Sequence, residues 1–197
     1  MILTHGMNSI ERGGGSILPE GYQQLKYIHF QGTTSSYLYT LYGVSNTYRI
    51  ELKGKVHSFT SSGSLLFISS DCSIIAQSSS QYIRVRNTNL SHLGYQDTYD
   101  KSILLDDFTM ILDKTQFIVN NESPIELWHY ASTAGQLTIG SPANVSNNFD
   151  LYSIKFINTN DGTTALHFIP CKELSTGRYG LYEIIFNGFT LGTNVAP

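Results

Sequence analysis

The chain has 197 residues, of which 41% are hydrophobic and only 14% charged, with a formal net charge of −3 and a pI near 6.0. That length supports one generous core that hides about 70% of the unfolded surface, while the shortage of Lys and Arg removes the term that supplies most nucleic-acid affinity. No stretch approaches the ~18 uninterrupted apolar residues of a spanning helix, and Met1 to Gly6 lacks the basic start and apolar run of a secretion signal, so the expectation is a cytosolic chain, or one released by another route, with no nucleic-acid partner and no membrane span.

Residues 1–18, "MILTHGMNSIERGGGSIL", hold a few isolated aliphatics and the glycine run Gly13 to Gly15, with no period that would fold alone. Such an arm cannot bury enough surface to offset its ordering entropy. It is expected to be held by another chain through Ile2, Leu3, Met7 and Ile10, with the glycines as a hinge. The alternative is that it folds back along its own sheet edge.

After Pro19 the apolar residues recur in short alternating bursts, each closed by Gly, Asn, Asp, Ser or Pro, which is strand and turn punctuation. Strands are predicted, in order, at Leu25 to Phe30, Ser36 to Leu41, Thr47 to Val56, Ser64 to Ser69, Cys72 to Gln77 and Gln81 to Arg86. They continue at Phe108 to Asp113, Thr115 to Asn120, Gln136 to Gly140, Asp150 to Asn158, Ala165 to Cys171 and Gly180 to Phe186. About a dozen short strands spaced near ten residues apart mean an all-β antiparallel sandwich or barrel. Between Thr47 and Val56, Tyr48, Ile50 and Leu52 face one way and Arg49, Glu51 and Lys53 the other, as on a sheet with one wet face. Thirteen Tyr and ten Phe against one Trp suit the same class. Ser123 to Ala131 holds the one plausible helical turn, or an aromatic-rich loop.

Two stretches, "LPEGYQQLKYI" from Leu18 to Ile28 and "FIPCKELSTGRYGLYEIIFNGF" from Phe168 to Phe189, resemble concanavalin-like (laminin-G-like) jelly-roll modules of phage and gut-bacterial surface proteins. Leu18, Pro19, Gly21, Tyr22, Leu25, Tyr27 and Ile28 follow the opening pattern of those modules, and Phe168, Ile169, Pro170, Cys171, Gly180, Leu181, Tyr182 and Phe189 their closing one. Two departures stand out: Glu183 where the modules carry Asp, and Leu41 after Thr40 where they show Gly. "LTHGMNSIERGG" is similar to the N-termini of small virion proteins of tailed phages. The resemblance implies a jelly roll at 19–197 behind an arm at 1–18, in a virion structural or accessory protein assembled in the host bacterial cytoplasm. Its partners would then be capsid or tail subunits and further copies of itself.

Chemistry is sparse in the sequence. A glycan hydrolase needs two carboxylates across a cleft, and no Glu-x-Asp-x-Glu run exists; Asp97 with Asp100 and Asp106 with Asp107 read as turn acids. No Gly-x-Ser-x-Gly elbow exists, and the six His lie singly, His29 and His167 opposite the apolar set of their strands. Cys72 and Cys171 read as buried thiols, although a disulfide between them stays open. "NTNDG" at Asn158 to Gly162 offers oxygen ligands for calcium but reads as a hairpin turn. The expectation is therefore a non-enzymatic protein without cofactor or metal. The ligand suggested is a host or mucus glycan, with Trp128 and Tyr130 in one loop and Tyr95 and Asp97 in another as aromatic platform and hydrogen-bonders.

Overall fold

The computed structural model describes residues 17–32, 37–43, 48–61, 63–69, 72–87, 95–113, 115–127, 136–140, 146–193 and 195–197. Seventeen strands fill these stretches. They run β1 (Tyr22–Gln24), β2 (Ile28–Phe30), β3 (Tyr37–Gly43), β4 (Tyr48–Ser58), β5 (Ser64–Ser69) and β6 (Cys72–Ala76). Next come β7 (Tyr82–Asn87), β8 (Tyr95–Asp100), β9 (Phe108–Asp113), β10 (Gln116–Val119), β11 (Ile125–Glu126) and β12 (Gln136–Gly140). The last are β13 (Asn148–Asn158), β14 (Thr164–Glu173), β15 (Tyr179–Glu183), β16 (Gly188–Thr193) and β17 (Val195–Ala196). Among the described residues a single 3-10 turn, Lys101–Leu104, interrupts the strands; the Asp100 carboxylate caps it by accepting from the Ser102 N–H at 2.9 Å. No helix in these residues is long and apolar enough to cross a membrane.

Among the described residues all pairings are antiparallel and form two sheets. In the first, β11, β10, β9, β4 and β13 lie side by side. The far edge of β13 is shared: β14 takes Ile154 to Ile157 and β2 takes Phe149 to Leu151. β13 and β14 thus open like a fork, with β1 entering on β14, β2 on β13, and β17 against β2. The second sheet runs β3, β12, β5, β6, β7, β8. β16 joins the two, pairing with β15 along its first part and with β3 at Gly192 and Thr193.

The alternation read in β4 holds: Ile50, Leu52 and Val56 are buried, and Arg49, Glu51 and Lys53 lie on the wetter face. Gly54 occupies the inward position between Leu52 and Val56, where a Cβ would stand 2.4 Å from the Asp150 carbonyl. Only glycine lets β4 and β13 approach so closely there. In β13 the inward residues are Phe149 and Leu151, then Ile154 and Phe156; the step of three marks a bulge at Tyr152 and Ser153 that resets the phase. Side chains of both sheets meet in one core, from Phe30, Phe149, Phe156 and Phe168 on the first to Leu38, Ile74, Val85 and Ile139 on the second. Phe30 and Phe149 stack with ring centroids 4.3 Å apart. Each such fully buried side chain contributes about 1.5–3 kcal/mol by removal from water.

A second, smaller cluster lies on the outer face of β14 and β15, where Ile169, Cys171 and Tyr182 point away from the main core. Leu18 closes it, with Tyr22 and Phe189 packed around the edge; the Tyr22 ring lies 4.7 Å from Tyr182 and 5.4 Å from Phe189. The N-terminal segment therefore meets the sheet at Leu18, on the domain's own surface. Where a helical turn was the alternative at Ser123 to Ala131, the described part carries β11, because Ile125 and Glu126 complete the ladder of β10.

Candidate functional site

On the outer face of the first sheet three strands bring together side chains that are far apart in sequence. Asp150 stands in β13 directly opposite His29 of β2 and Lys55 of β4. With Phe149 and Leu151 turned into the core, Asp150 must face outward, and so must His29 between the buried Ile28 and Phe30. His57 reaches the same spot through an irregularity: Phe149 pairs with Val56 and Asn148 with Ser58, leaving His57 as the extra residue of a β-bulge. A bulge re-aims its side chain, here onto the carboxylate of Asp150.

The Asp150 Oδ1 lies 2.7 Å from His29 Nδ1, and Oδ2 lies 2.9 Å from His57 Nε2. The two imidazoles stand 5.7 Å apart, centroid to centroid. The carboxylate is 10% exposed, and the rings are 28% and 40% exposed, so a nearly buried acid sits beneath two open bases. Burial pushes the Asp150 carboxyl up, but the hydrogen bonds from His29 and His57 outweigh it and leave the group below the ordinary carboxylate range. Beside this cluster the Tyr152 hydroxyl donates to Asp107 at 2.8 Å, and burial with that carboxylate raises its pKa. Sequence reasoning treated each histidine singly; the signal it lacked is the register that puts His29 opposite Asp150.

The expected site residues fall as follows. Ile2, Leu3, Met7 and Ile10 of the arm, and Trp128 and Tyr130, lie outside the described residues. Tyr95 and Asp97 are described, and they sit on strand β8 rather than in a loop, because Tyr95 pairs with Arg86 and Asp97 with Arg84 along β7. The Arg84 Nε donates to Asp97 at 2.9 Å, and the Arg86 guanidinium lies 6.0 Å from the Tyr95 ring centre. Tyr95 is 46% exposed and Tyr82, on the same side of β7, 39%.

Other acids serve the backbone. Glu183, fully buried, accepts from the backbone N–H groups of His167, Ile185 and Phe186, and so clamps the turn between β15 and β16. Asp161 accepts from the Thr163 N–H and hydroxyl inside the "NTNDG" hairpin, whose Gly162 takes φ 72°, the turn that Asp-Gly signals. Cys171 is a free, buried thiol whose pKa burial, with Glu173 nearby, pushes up to about 12. Such a thiol is inert. A surface depression of about 500 Å³ opens beside β8, lined by Tyr99, Asp100, Ser102, Ile103, Asp106 and Glu122. Within it Asp100 is already engaged in the cap described above, and the Tyr99 hydroxyl is held by the carbonyls of Phe117 and Ser123 at 2.9 and 2.6 Å. No protein-family model, curated protein or solved structure matches the chain.

Proposed function

We propose that the chain is a non-enzymatic structural or accessory protein of a bacteriophage virion, docked to capsid or tail subunits by residues 1–18 and displaying residues 19–197 as a concanavalin-like jelly roll. The observation that carries the reading is the seat of Leu18. It is buried among Ile169, Cys171 and Tyr182, while Ile17, one residue earlier, is 68% exposed. Leu18 is thus fixed on the outer face of the first sheet, and a tether through residues 1–18 would leave the domain from that point. The sequence of residues 1–16 carries too few aliphatics to offset an ordering entropy by self-contacts. The first of the two sequence patterns that resemble phage jelly-roll modules begins at this same Leu18, and the second includes Ile169, Cys171 and Tyr182, among which Leu18 is buried. The engaged state of Asp97, Asp161 and Glu183 supports a display domain over a hydrolase.

Incorporation tests the proposal. Deleting residues 2–15 keeps Leu18 and its seat, so the sandwich should retain its circular dichroism. Particles purified from producing cells are then blotted for the protein. The truncated chain is expected to be missing from particles; wild-type incorporation of it would overturn the anchoring role.

A second reading, a carbohydrate-binding protein for host attachment, is favoured by one surface. Tyr82 and Tyr95 are exposed on β7 and β8 with Arg84, Arg86 and Asp97 beside them, which combines stacking faces with charged hydrogen-bonders. A glycan array discriminates: silence across host and mucus sugars removes this reading, and a hit must disappear in Tyr95→Ala.

A further inference from the structure

The cluster of His29, His57 and Asp150 has no task in either reading. Three strands and a bulge converge to build it. We infer that His29 Nδ1, His57 Nε2 and a carboxylate oxygen of Asp150 form a binding site for a divalent first-row transition ion of the Zn2+ kind, clipping β2, β4 and β13 together on the outer face.

Donor chemistry selects the ion class. Two imidazole nitrogens and one carboxylate suit zinc and its neighbours, whereas Ca2+ and Mg2+ favour oxygen ligands throughout. The donor atoms of the three residues lie within 4.8 Å of one another. His29 Nδ1 stands 2.7 Å from Asp150 Oδ1 and His57 Nε2 stands 2.9 Å from Oδ2, each slightly below the ~3.3 Å between ligands of a tetrahedral ion with bonds near 2.0–2.1 Å, so that either carboxylate oxygen can serve as the third ligand. A small opening of the two rings admits one ion between the two nitrogens and the carboxylate, in place of the two separate hydrogen bonds. Each imidazole then keeps one proton, on the ring nitrogen far from Asp150, and any second proton leaves to solvent.

The frame is already in place. β4 and β13 are the longest strands, eleven residues each, and pair along the whole length of β13, so the ligands ride on rigid backbone. The half-exposed rings leave further coordination positions open to water. Asn148 stands two residues before Asp150, and its buried Oδ1 has no hydrogen-bond partner among the described residues, which puts one more unsatisfied oxygen on this part of β13. Lys55, opposite Asp150 in register, adds positive charge nearby and sets the affinity below that of a closed structural zinc centre.

The test uses the full chain, stripped with a chelator and titrated with Zn2+ by calorimetry while the histidine rings are followed by nitrogen-15 NMR. One zinc per chain is expected, with the ring signals of His29 and His57 shifting and those of His167 unmoved. His57→Gln, at the exposed bulge, should weaken binding at least ~10-fold with unchanged circular dichroism. Equal zinc uptake by wild type and by His29→Ala/His57→Gln, or no movement of the two rings in the folded wild type under excess zinc, would overturn the site. An equal response to Ca2+ would overturn the ion class.

Discussion

Glu183→Gln is the sharpest probe of how this sandwich is held together. The carboxylate is fully buried at the end of β15; one oxygen accepts from the His167 and Ile185 N–H groups at 3.0 Å each, the other from the Phe186 N–H. A carboxamide of the same size can satisfy only one side. With its oxygen toward His167 and Ile185, its NH2 meets the Phe186 N–H, donor against donor. One charge-assisted bond is lost, about 1.5–3 kcal/mol, and one part-buried N–H is left facing a donor, about 1 kcal/mol. Relief of the buried charge offsets part of this, so the net cost should be ~2–4 kcal/mol. At ~2–4 °C per kcal/mol for a domain of this size, Tm falls by about 8 °C. Thermal melts followed by circular dichroism measure it, with Glu20→Gln, an exposed carboxylate, as the control that should leave Tm unchanged. A drop smaller than ~2 °C for Glu183→Gln would refute the clamp.

Further consequences can be checked on the same preparations. Gly63→Ala places a Cβ 1.7 Å from Asn147 Oδ1, displacing a side chain that accepts from the Thr60 N–H and donates to the Ala76 carbonyl, each at 2.9 Å. The loss should be ~2–4 kcal/mol in urea unfolding, and a wild-type midpoint would contradict it. Cys171, with its thiol pushed up to about 12, should react with a thiol reagent only as fast as the protein opens; rapid native labelling located at Cys171 by mass spectrometry would sink this. Because the folded carboxyl of Asp150 is held below its unfolded value, its contribution is full above the unfolded pKa near ~3.9 and is lost as pH falls through the folded one. The stability gap between wild type and Asp150→Asn should therefore shrink on acidification from about pH 5 to pH 3; a constant gap would argue against the pairing.

Where the sequence alternates strictly, the fold is legible in it. Ile50 and Leu52 against Glu51 and Lys53 assign both the strand and its face, and the Asp161–Gly162 corner assigns the hairpin that follows β13. β8 is a different matter. "YQDTYD" has no apolar alternation because, among the described residues, the strand pairs only with β7 and holds to its neighbours by polar contacts such as the Tyr99 hydroxyl. Its two acids consequently resemble turn acids, and Tyr95 with Asp97 resembles a loop site. The His29, His57 and Asp150 cluster was illegible for another reason. Its members are 121 and 93 residues from Asp150, and the bulge that aims His57 depends on a register that only the completed sheet defines. Local pattern carries the elements; the meeting of the elements carries the site.

The fork between β13 and β14 also governs the order of assembly on the ribosome. Phe30 finds Phe149 on one edge and Val195 on the other, so β2 emerges long before either neighbour exists. Until then its buried aromatic and both strand margins stay open to misassociation, and the first sheet cannot zip up progressively as synthesis proceeds. Closing so distant a loop is slow compared with joining adjacent hairpins. Refolding is expected on the millisecond-to-second scale.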